Sequence, residues 1–322
     1  MQQKQKLNNL SQIFLAIMIL VMIALLCIFP KKYSAICLEG IFLWAKVVLP
    51  SLLPFLILTT LLTKLGVLQK LSIYLNKFFY RLKLPSLTAG VFIISILSGY
   101  PVGAKMIADL YNQKAITEKE ASRMALLCST SGPMFIIGSV GAVLFNSTIA
   151  GCILFATHIL GVIIPCLIAL PFAKKLPKTE YNLQTETVDN ILYSSVHSST
   201  ISILCIGGFI ALFYILTEAL TDLRIMQPII YLLSFPFGDG ATGLVYGLLE
   251  ATHGVSALSK SMSIFALPLA SFVITFGGGC ILLQQISFLK SAKVNIATFI
   301  LFKFLQGICA FALTLLAVWI FL

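Results

Sequence analysis

The sequence predicts an all-α polytopic membrane protein built from two inverted repeats, each with a re-entrant helical hairpin and a discontinuous helix. The first observation is composition: 59% of the residues are hydrophobic, 10% are charged, and the mean hydropathy is +1.02. A soluble domain carries about 25% charged residues, so most of this chain requires the bilayer as its solvent. The other two observations are long apolar stretches between short polar breaks, and Gly- and Pro-rich interruptions at matching positions of the two halves.

Seven stretches are apolar over about 18 residues or more, which is enough to cross a hydrocarbon core of ~30 Å. They comprise residues 13–30, 36–62, 124–145, 149–172, 200–220, 263–289 and 297–322. Two further apolar stretches, 87–110 and 225–258, contain Gly and Pro near their middle. Because lipid cannot satisfy the backbone groups that such breaks leave unpaired, we interpret each as a re-entrant hairpin of two half-helices. Residues 66–84 mix bases with large apolar side chains and predict an amphipathic helix on the inner membrane surface.

The net charge of +11 does not indicate a nucleic-acid partner, because the basic residues lie in short segments between the apolar stretches. That distribution is typical of the positive-inside rule, and most of the 22 Lys and Arg residues fall on one side when the N-terminus is placed in the cytoplasm. The sequence therefore predicts an integral membrane protein with a cytoplasmic N-terminus. Its expected partners are the lipid bilayer and a small-molecule substrate, and its oligomeric state stays open.

The two halves of the chain follow the same plan. Residues 1–35 form an N-terminal tail and a first span, 36–172 a first repeat, 173–190 a cytoplasmic linker and 191–322 a second repeat. Each repeat has three full crossings, and because that number is odd, the repeats are inverted relative to each other. Inverted repeats with discontinuous helices are typical of secondary transporters whose site lies at the bilayer midplane. The alternative is two unrelated helix bundles that contain glycines by chance.

The first half contributes two candidate parts of a substrate site. In the hairpin break, Pro101 stands where a second half-helix begins, and Lys105 either contacts an anion or extends to the inner surface. In the second break, three hydroxyl residues precede Gly-Pro, and they either bind a ligand or bond back to helix carbonyls. The candidate residues are Ser98, Gly99, Tyr100, Pro101, Gly103, Lys105, Ser129, Thr130, Ser131, Gly132 and Pro133.

The second half contributes the other two parts. Glu250 follows an uncharged apolar stretch and is the best candidate for an intramembrane carboxylate, which is a functional feature by default. Three consecutive glycines cannot stabilise a helix interior, so their amides either face a ligand or allow tight helix packing. The candidate residues are Glu250, Thr252, His253, Gly277, Gly278, Gly279 and Gln284.

Catalysis and metal binding find no support in the sequence. The eight cysteines lie in or beside apolar stretches without metal-type spacing, and no nucleotide-binding or nucleophile motif occurs. We therefore expect no catalytic residues, no metal site and no cofactor, and we do not expect an enzyme. A coupling ion, Na⁺ or H⁺, stays open, since backbone carbonyls at the breaks could bind sodium and Glu250 could carry a proton.

Three motifs carry a resemblance to a known family: residues 98–105 (SGYPVGAK), 130–135 (TSGPMF) and 249–254 (LEATHG). In these motifs the chain resembles the YlbJ/SpoVV-type sporulation integral membrane proteins of the nucleoside-recognition (Gate) superfamily. The resemblance implies a fold like that of concentrative nucleoside transporters, with two inverted hairpins around the site. Gly132 and His253 stand where relatives often have Asn.

The resemblance also implies a function, namely transport of dipicolinic acid across a membrane of a spore-forming cell, such as those around the forespore. Dipicolinate is a small aromatic dianion, which Lys105 and helix N-termini would suit. Two other functions stay open. One is a nucleoside permease, and the other is a membrane scaffold or sensor that transports nothing.

Overall fold

Every regular element of the described part of the chain is helical. The computed structural model describes residues 2–67, 72, 79, 83–170 and 190–321. The first half contains α1 Gln2–Ile28, α2 Pro30–Leu43, a first π-helical segment Trp44–Val48, α3 Leu49–Lys64, α4 Thr88–Ser98, α5 Val102–Asn112, α6 Glu118–Leu127, a second π-helical segment Met134–Leu144 and α7 Thr148–Ala169. The second half contains α8 Ile191–Asp222, α9 Gln227–Phe237, α10 Gly240–Leu249, α11 Ala251–Leu258, α12 Ala266–Phe276, α13 Gly278–Leu289 and α14 Ile296–Phe321.

The prediction of a polytopic helical membrane protein is confirmed. Within the described residues, five helical stretches are long and apolar enough to cross a bilayer. They are Pro30–Lys64, Thr148–Ala169, Ile191–Asp222, Ala266–Leu289 and Ile296–Ile320. The amphipathic helix predicted over 66–84 and the linker predicted over 173–190 fall almost wholly outside the described residues.

The second long helix begins earlier than the sequence suggests. Instead of a loop after residue 30, the helix starts at Pro30, a residue that favours the first helical turn because it has no N–H to leave unpaired. This start places Lys32 against the C-terminal end of α8, where its ammonium pairs with Glu218 at 2.9 Å and with Asp222. The charge of Lys32 is thereby compensated within the protein.

The first predicted hairpin is present, and the second is shorter than predicted. Helices α4 and α5 are joined at Gly99, whose φ of +77° places it in the left-handed region. Residues 225–258 form three helices rather than two half-helices, so the prediction for that stretch is wrong. Gly238, with a φ of +61°, ends α9, and the hairpin proper is α10 and α11, joined at Glu250.

Both predicted discontinuous helices are confirmed. The helix of the first half is interrupted between α6 and the second π-helical segment, and that of the second half at Gly277, whose φ is +95°. The same order of elements occurs in both halves: a long helix, a hairpin, a broken helix and an intact helix. The inverted relation between the halves stays a prediction.

The intact helices α7 and α14 cross at the centre of the molecule. At the crossing, a Cβ on Gly161 would lie 2.7 Å from the Cβ of Ala310, so only glycine allows this approach. One turn away, the hydroxyl of Thr314 donates to that of Thr157 at 2.7 Å. Small residues at helix crossings are the usual means of close packing in membranes.

We expect Gly161→Ala to destabilise the protein by about 1–3 kcal/mol, because the added methyl group forces the two backbones apart. The measurement is thermal unfolding of the full chain in detergent. Gly208→Ala is the matched control, since Gly208 also lies within a long helix, α8, and a Cβ there meets nothing within 4 Å. Equal melting temperatures for the two variants would contradict the crossing described above.

Candidate substrate site at four helix breaks

The two breaks of the first half contact each other through glycine. A Cβ on Gly99 would lie 2.9 Å from the backbone nitrogen of Gly132. A Cβ on Gly103 would overlap the carbonyl oxygen of Cys128. The start of α5 therefore packs against the non-helical segment 128–133 without intervening side chains.

The two breaks of the second half contact each other in the same way. A Cβ on Gly278, which has a φ of +63°, would overlap the carbonyl oxygen of Gly247. Gly254 approaches Gly247 so closely that a Cβ there would overlap the backbone. The glycines at 278, 247 and 254 thus bring the α12–α13 break against the α10–α11 hairpin.

Polar side chains then connect the two pairs of breaks. The phenol of Tyr100 donates to the carbonyl of Thr275 at 3.1 Å, which joins the first hairpin to the end of α12. The hydroxyl of Ser129 donates to Oε1 of Gln285 on α13. All four breaks that the sequence singles out therefore converge.

A cavity of about 40 Å³ lies where the breaks converge. Each break contributes polar atoms to its wall, and apolar side chains including Val48, Leu52 and Phe135 complete it. The polar residues in the wall are Tyr100, Ser131, Glu250, Thr252, Cys280 and Gln284. This volume holds only a few water molecules, so a larger solute requires the breaks to separate.

Glu250 is the one carboxylate in the wall of this cavity. It is 1% exposed, and its Oε2 accepts a hydrogen bond of 2.6 Å from the backbone N–H of His253, which caps the start of α11. Both ion pairs found in the described part of the chain involve Lys32, so Glu250 has no cationic side chain within 4.0 Å there. The described residues also contain no cluster of three His, Cys, Asp or Glu side chains that could hold a metal ion.

Two adjoining cavities of about 360 and 400 Å³, which we call the vestibule, lie beside the central cavity. Both are lined by Lys105, Ser198 and Ser202, and the larger one shares Gln284 with the central cavity. The structure thus places Lys105 in the vestibule rather than in the central cavity. The vestibule has the volume typical of small-molecule sites, roughly 300–1,000 Å³.

Several other predicted residues lie in the frame around the cavity. Ser98 donates to the hydroxyl of Thr59 on α3 at 2.7 Å, and Thr130 shares a 2.8 Å hydrogen bond with Ser95. Pro101 and Pro133 precede the first residues of the helical segments that follow the two breaks. Gly277 supplies the left-handed turn between α12 and α13, and Gly279 lies near Phe213.

His253 is held between two aromatic rings rather than in the cavity wall. Its imidazole centroid lies 4.3 Å from that of Tyr214, with the planes nearly parallel, and 4.7 Å from that of Tyr246. This stacking fixes the ring, and the contact of His253 with Glu250 runs through its backbone N–H. The side chain therefore stabilises the hairpin that carries Glu250.

Sequence reasoning missed His158, which connects the broken helices of the two halves. Its Nε2 accepts from the backbone N–H of Ser131 at 2.9 Å, and its Nδ1 lies 2.8 Å from the hydroxyl of Thr275. Because a backbone N–H can only donate, the geometry assigns the ring proton to Nδ1 and leaves Nε2 with its lone pair. No local motif marks this residue.

Lys303 was also missed, although a lysine inside an apolar span is itself a signal. Its ammonium, on α14, donates to the carbonyl of Ser129 and to the phenol of Tyr100, both at 2.9 Å. It therefore contacts both breaks of the first half from behind the cavity. Neither Lys303 nor His158 lines the cavity itself.

Residues 45–174, which include the first hairpin and the first discontinuous helix, match the Gate family, described as nucleoside recognition. The chain is also 26% identical to the sporulation integral membrane protein YlbJ of Bacillus subtilis (strain 168), over 94% of this chain and 82% of that protein. The predicted resemblance is confirmed. The Gate match, the similarity to an integral membrane protein and the apolar helices together indicate an integral membrane protein with a transport-related role. No solved structure matches the chain.

We expect His158→Leu to destabilise the protein by about 1–3 kcal/mol, because the buried N–H of Ser131 loses its acceptor. Thermal unfolding in detergent measures the effect. His197→Leu is the control, since His197 is exposed on α8. If both variants had the same melting temperature as the wild type, the connection between the halves through His158 would contribute nothing to stability.

Proposed function

We propose that the protein transports a small polar or anionic solute through the central cavity, and that it is not an enzyme. One observation carries the proposal: four helix breaks, two from each half of the chain, converge on one cavity with a polar wall. Interrupted helices at membrane depth are otherwise costly, because their free backbone groups need partners that lipid does not supply. Their convergence is the arrangement that a midplane transport site requires.

The vestibule supports an entry route to this site. Its wall carries the hydroxyls of Thr60, Thr63, Ser198 and Ser202 beside Lys105, so a polar solute finds hydrogen-bond partners along it. Gln284 then lines both the vestibule and the central cavity. The vestibule is lined by α3, α5, α13 and the N-terminal part of α8. We expect the linker that precedes α8 to lie in the cytoplasm. We therefore propose that this conformation faces inward.

Dipicolinate, which the resemblance to YlbJ/SpoVV-type proteins implies, is our lead substrate. The N-termini of α5, of the second π-helical segment and of α13 have no side-chain cap, so their partial positive charge can attract an anion. Lys105 adds a full positive charge on the entry route. Glu250 opposes an anion when it is ionised, so binding of the dianion would favour a protonated Glu250 and link the solute to a proton.

A nucleoside is the second candidate, and the description of the Gate family favours it. An uncharged solute with hydroxyl groups needs no proton on Glu250, because the ionised carboxylate accepts from hydroxyls directly. The amide of Gln284 and the hydroxyls of Ser131 and Thr252 offer further partners in the same wall. The two candidates therefore differ in the charge that they require at Glu250.

We expect proteoliposomes containing the protein to take up labelled dipicolinate, and Lys105→Ala to lower the initial rate at sub-saturating concentration about tenfold, equal to ~1.4 kcal/mol. The reason is the loss of the one lysine that lines both cavities of the vestibule. Lys290→Ala, in the exposed turn after α13, is the control and should leave the rate unchanged. Absence of uptake, or equal rates for the two variants, would count against dipicolinate transport, and competition by uridine or adenosine would favour the nucleoside.

We expect dipicolinate uptake to increase as the medium changes from neutral to mildly acidic, because a proton on Glu250 removes its repulsion of the dianion. Glu250→Gln carries no charge at either pH and should transport with a much flatter pH dependence. Initial rates of uptake with the same pH on both sides of the vesicle measure the effect. A variant that kept the wild-type pH profile would exclude Glu250 as the titrating group.

A further inference from the structure

Lys303 is a buried lysine without a carboxylate partner. Its side chain lies on α14, is 1% exposed and contacts no acidic group within ion-pair distance, because in the described ranges such pairs occur only at Lys32. A buried ammonium is stable only if other polar groups replace its hydration shell. The identity of those groups therefore indicates what the site is built to hold.

The partners of Lys303 are oxygen atoms of the two breaks in the first half. They are the carbonyl of Ser129, in the non-helical segment after α6, and the phenol of Tyr100, in the hairpin, each 2.9 Å from Nζ. Nζ also lies 4.9 Å from the centroid of the Tyr100 ring. Carbonyl and hydroxyl oxygens exposed at helix breaks are the ligands by which membrane transporters bind a coupling sodium ion.

We propose that the ammonium of Lys303 occupies the place of a coupling sodium ion in this protein, so that neither folding nor transport requires Na⁺. The proposal rests on the transport function proposed above and specifies its ion dependence. A sodium ion would have to displace an ammonium that is attached to α14, and the like charges repel each other. The tethered cation thus bridges the first hairpin and the segment 128–133 through Tyr100 and Ser129.

The other titratable groups near Lys303 do not offer a charge that would hold a second cation. Tyr100 faces it from the hairpin, and His158 and Cys166 face it from α7. His158 is neutral in this geometry, since its Nε2 accepts a backbone hydrogen bond and its proton lies on Nδ1. His158 thus adds no positive charge, and the ammonium of Lys303 is the one cation that the proposal assigns to the site.

The test compares thermal unfolding of the purified full chain in NaCl, KCl and choline chloride at equal ionic strength. We expect the wild type to melt at the same temperature in all three salts. Lys303→Met should melt lower and recover by about 2–4 °C in NaCl alone, because Na⁺ can then bind the vacated oxygens of Ser129 and Tyr100. Lys46→Met is the control, an exposed lysine in the first π-helical segment, and should respond to the three salts as the wild type does.

Two outcomes of the unfolding experiments would overturn the proposal: stabilisation of the wild type by NaCl over the other two salts, or a Lys303→Met variant that shows no response to sodium. If that variant cannot be purified, the comparison of wild-type melting temperatures in the three salts still tests the proposal. Lys303→Arg, which keeps a cation in place, should melt at the same temperature in all three salts. These measurements need no substrate, so they are independent of whether uptake of dipicolinate is observed. Conversely, uptake that stops when choline replaces Na⁺ would refute the role of Lys303 while supporting transport.

Discussion

Every backbone N–H and C=O group that a helix break exposes at membrane depth must find a partner within the protein. The end of α6 shows how this protein meets that requirement. The carbonyl of Leu126 accepts from the amide of Gln306 at 2.6 Å, that of Cys128 from the hydroxyl of Ser95 at 2.8 Å, and that of Ser129 from Lys303. Two helices, α14 and α4, thus supply the three donors for one interrupted helix.

This requirement also explains why the two halves of the chain depend on each other. His158 of the first half forms a hydrogen bond with Thr275 of the second, and Lys303 of the second half forms one with Ser129 of the first. His158 satisfies the N–H of Ser131 within its own half, but the carbonyl of Ser129 depends on Lys303 of the other half. A separation of the halves that admitted a solute would have to exchange such hydrogen bonds for others, so the bonds that stabilise the closed cavity also oppose its opening.

The fold could be predicted from the sequence to the extent that it depends on local signals. Gly99, Gly277 and the Gly132-Pro133 pair favour helix interruption through their intrinsic backbone preferences, and all these breaks are present. The boundary of the second hairpin was predicted wrongly because Pro236 and Gly238 signal a helix interruption as strongly as the residues at the other breaks do. Only packing distinguishes α9, which has no buried residue, from the hairpin helices beside it.

The candidate site could be predicted only in part, because its remaining residues act over long separations in the chain. Tyr100, Ser131, Glu250, Thr252 and Gln284 could be named from the breaks beside them, and they line the cavity. Ser98 and Thr130 also carry hydroxyls beside the breaks, so the sequence does not distinguish them from the residues that line the cavity. In the structure, however, their hydroxyls form hydrogen bonds with neighbouring helices. His158 and Lys303 lie far from every break along the chain, and only the charge of Lys303 inside an apolar span is a local signal of function.

The wall of the cavity has a mixed polarity that limits which solutes it can accept. Helix N-termini without caps favour negative charge, whereas Glu250 caps α11 and, when ionised, favours a hydrogen-bond donor or a positive charge. A neutral solute with hydroxyl groups satisfies both at once, but a dianion satisfies the N-termini only if Glu250 is protonated. If the cavity is the substrate site, as we propose, protonation of Glu250 would decide between these two classes of solute without any change in fold.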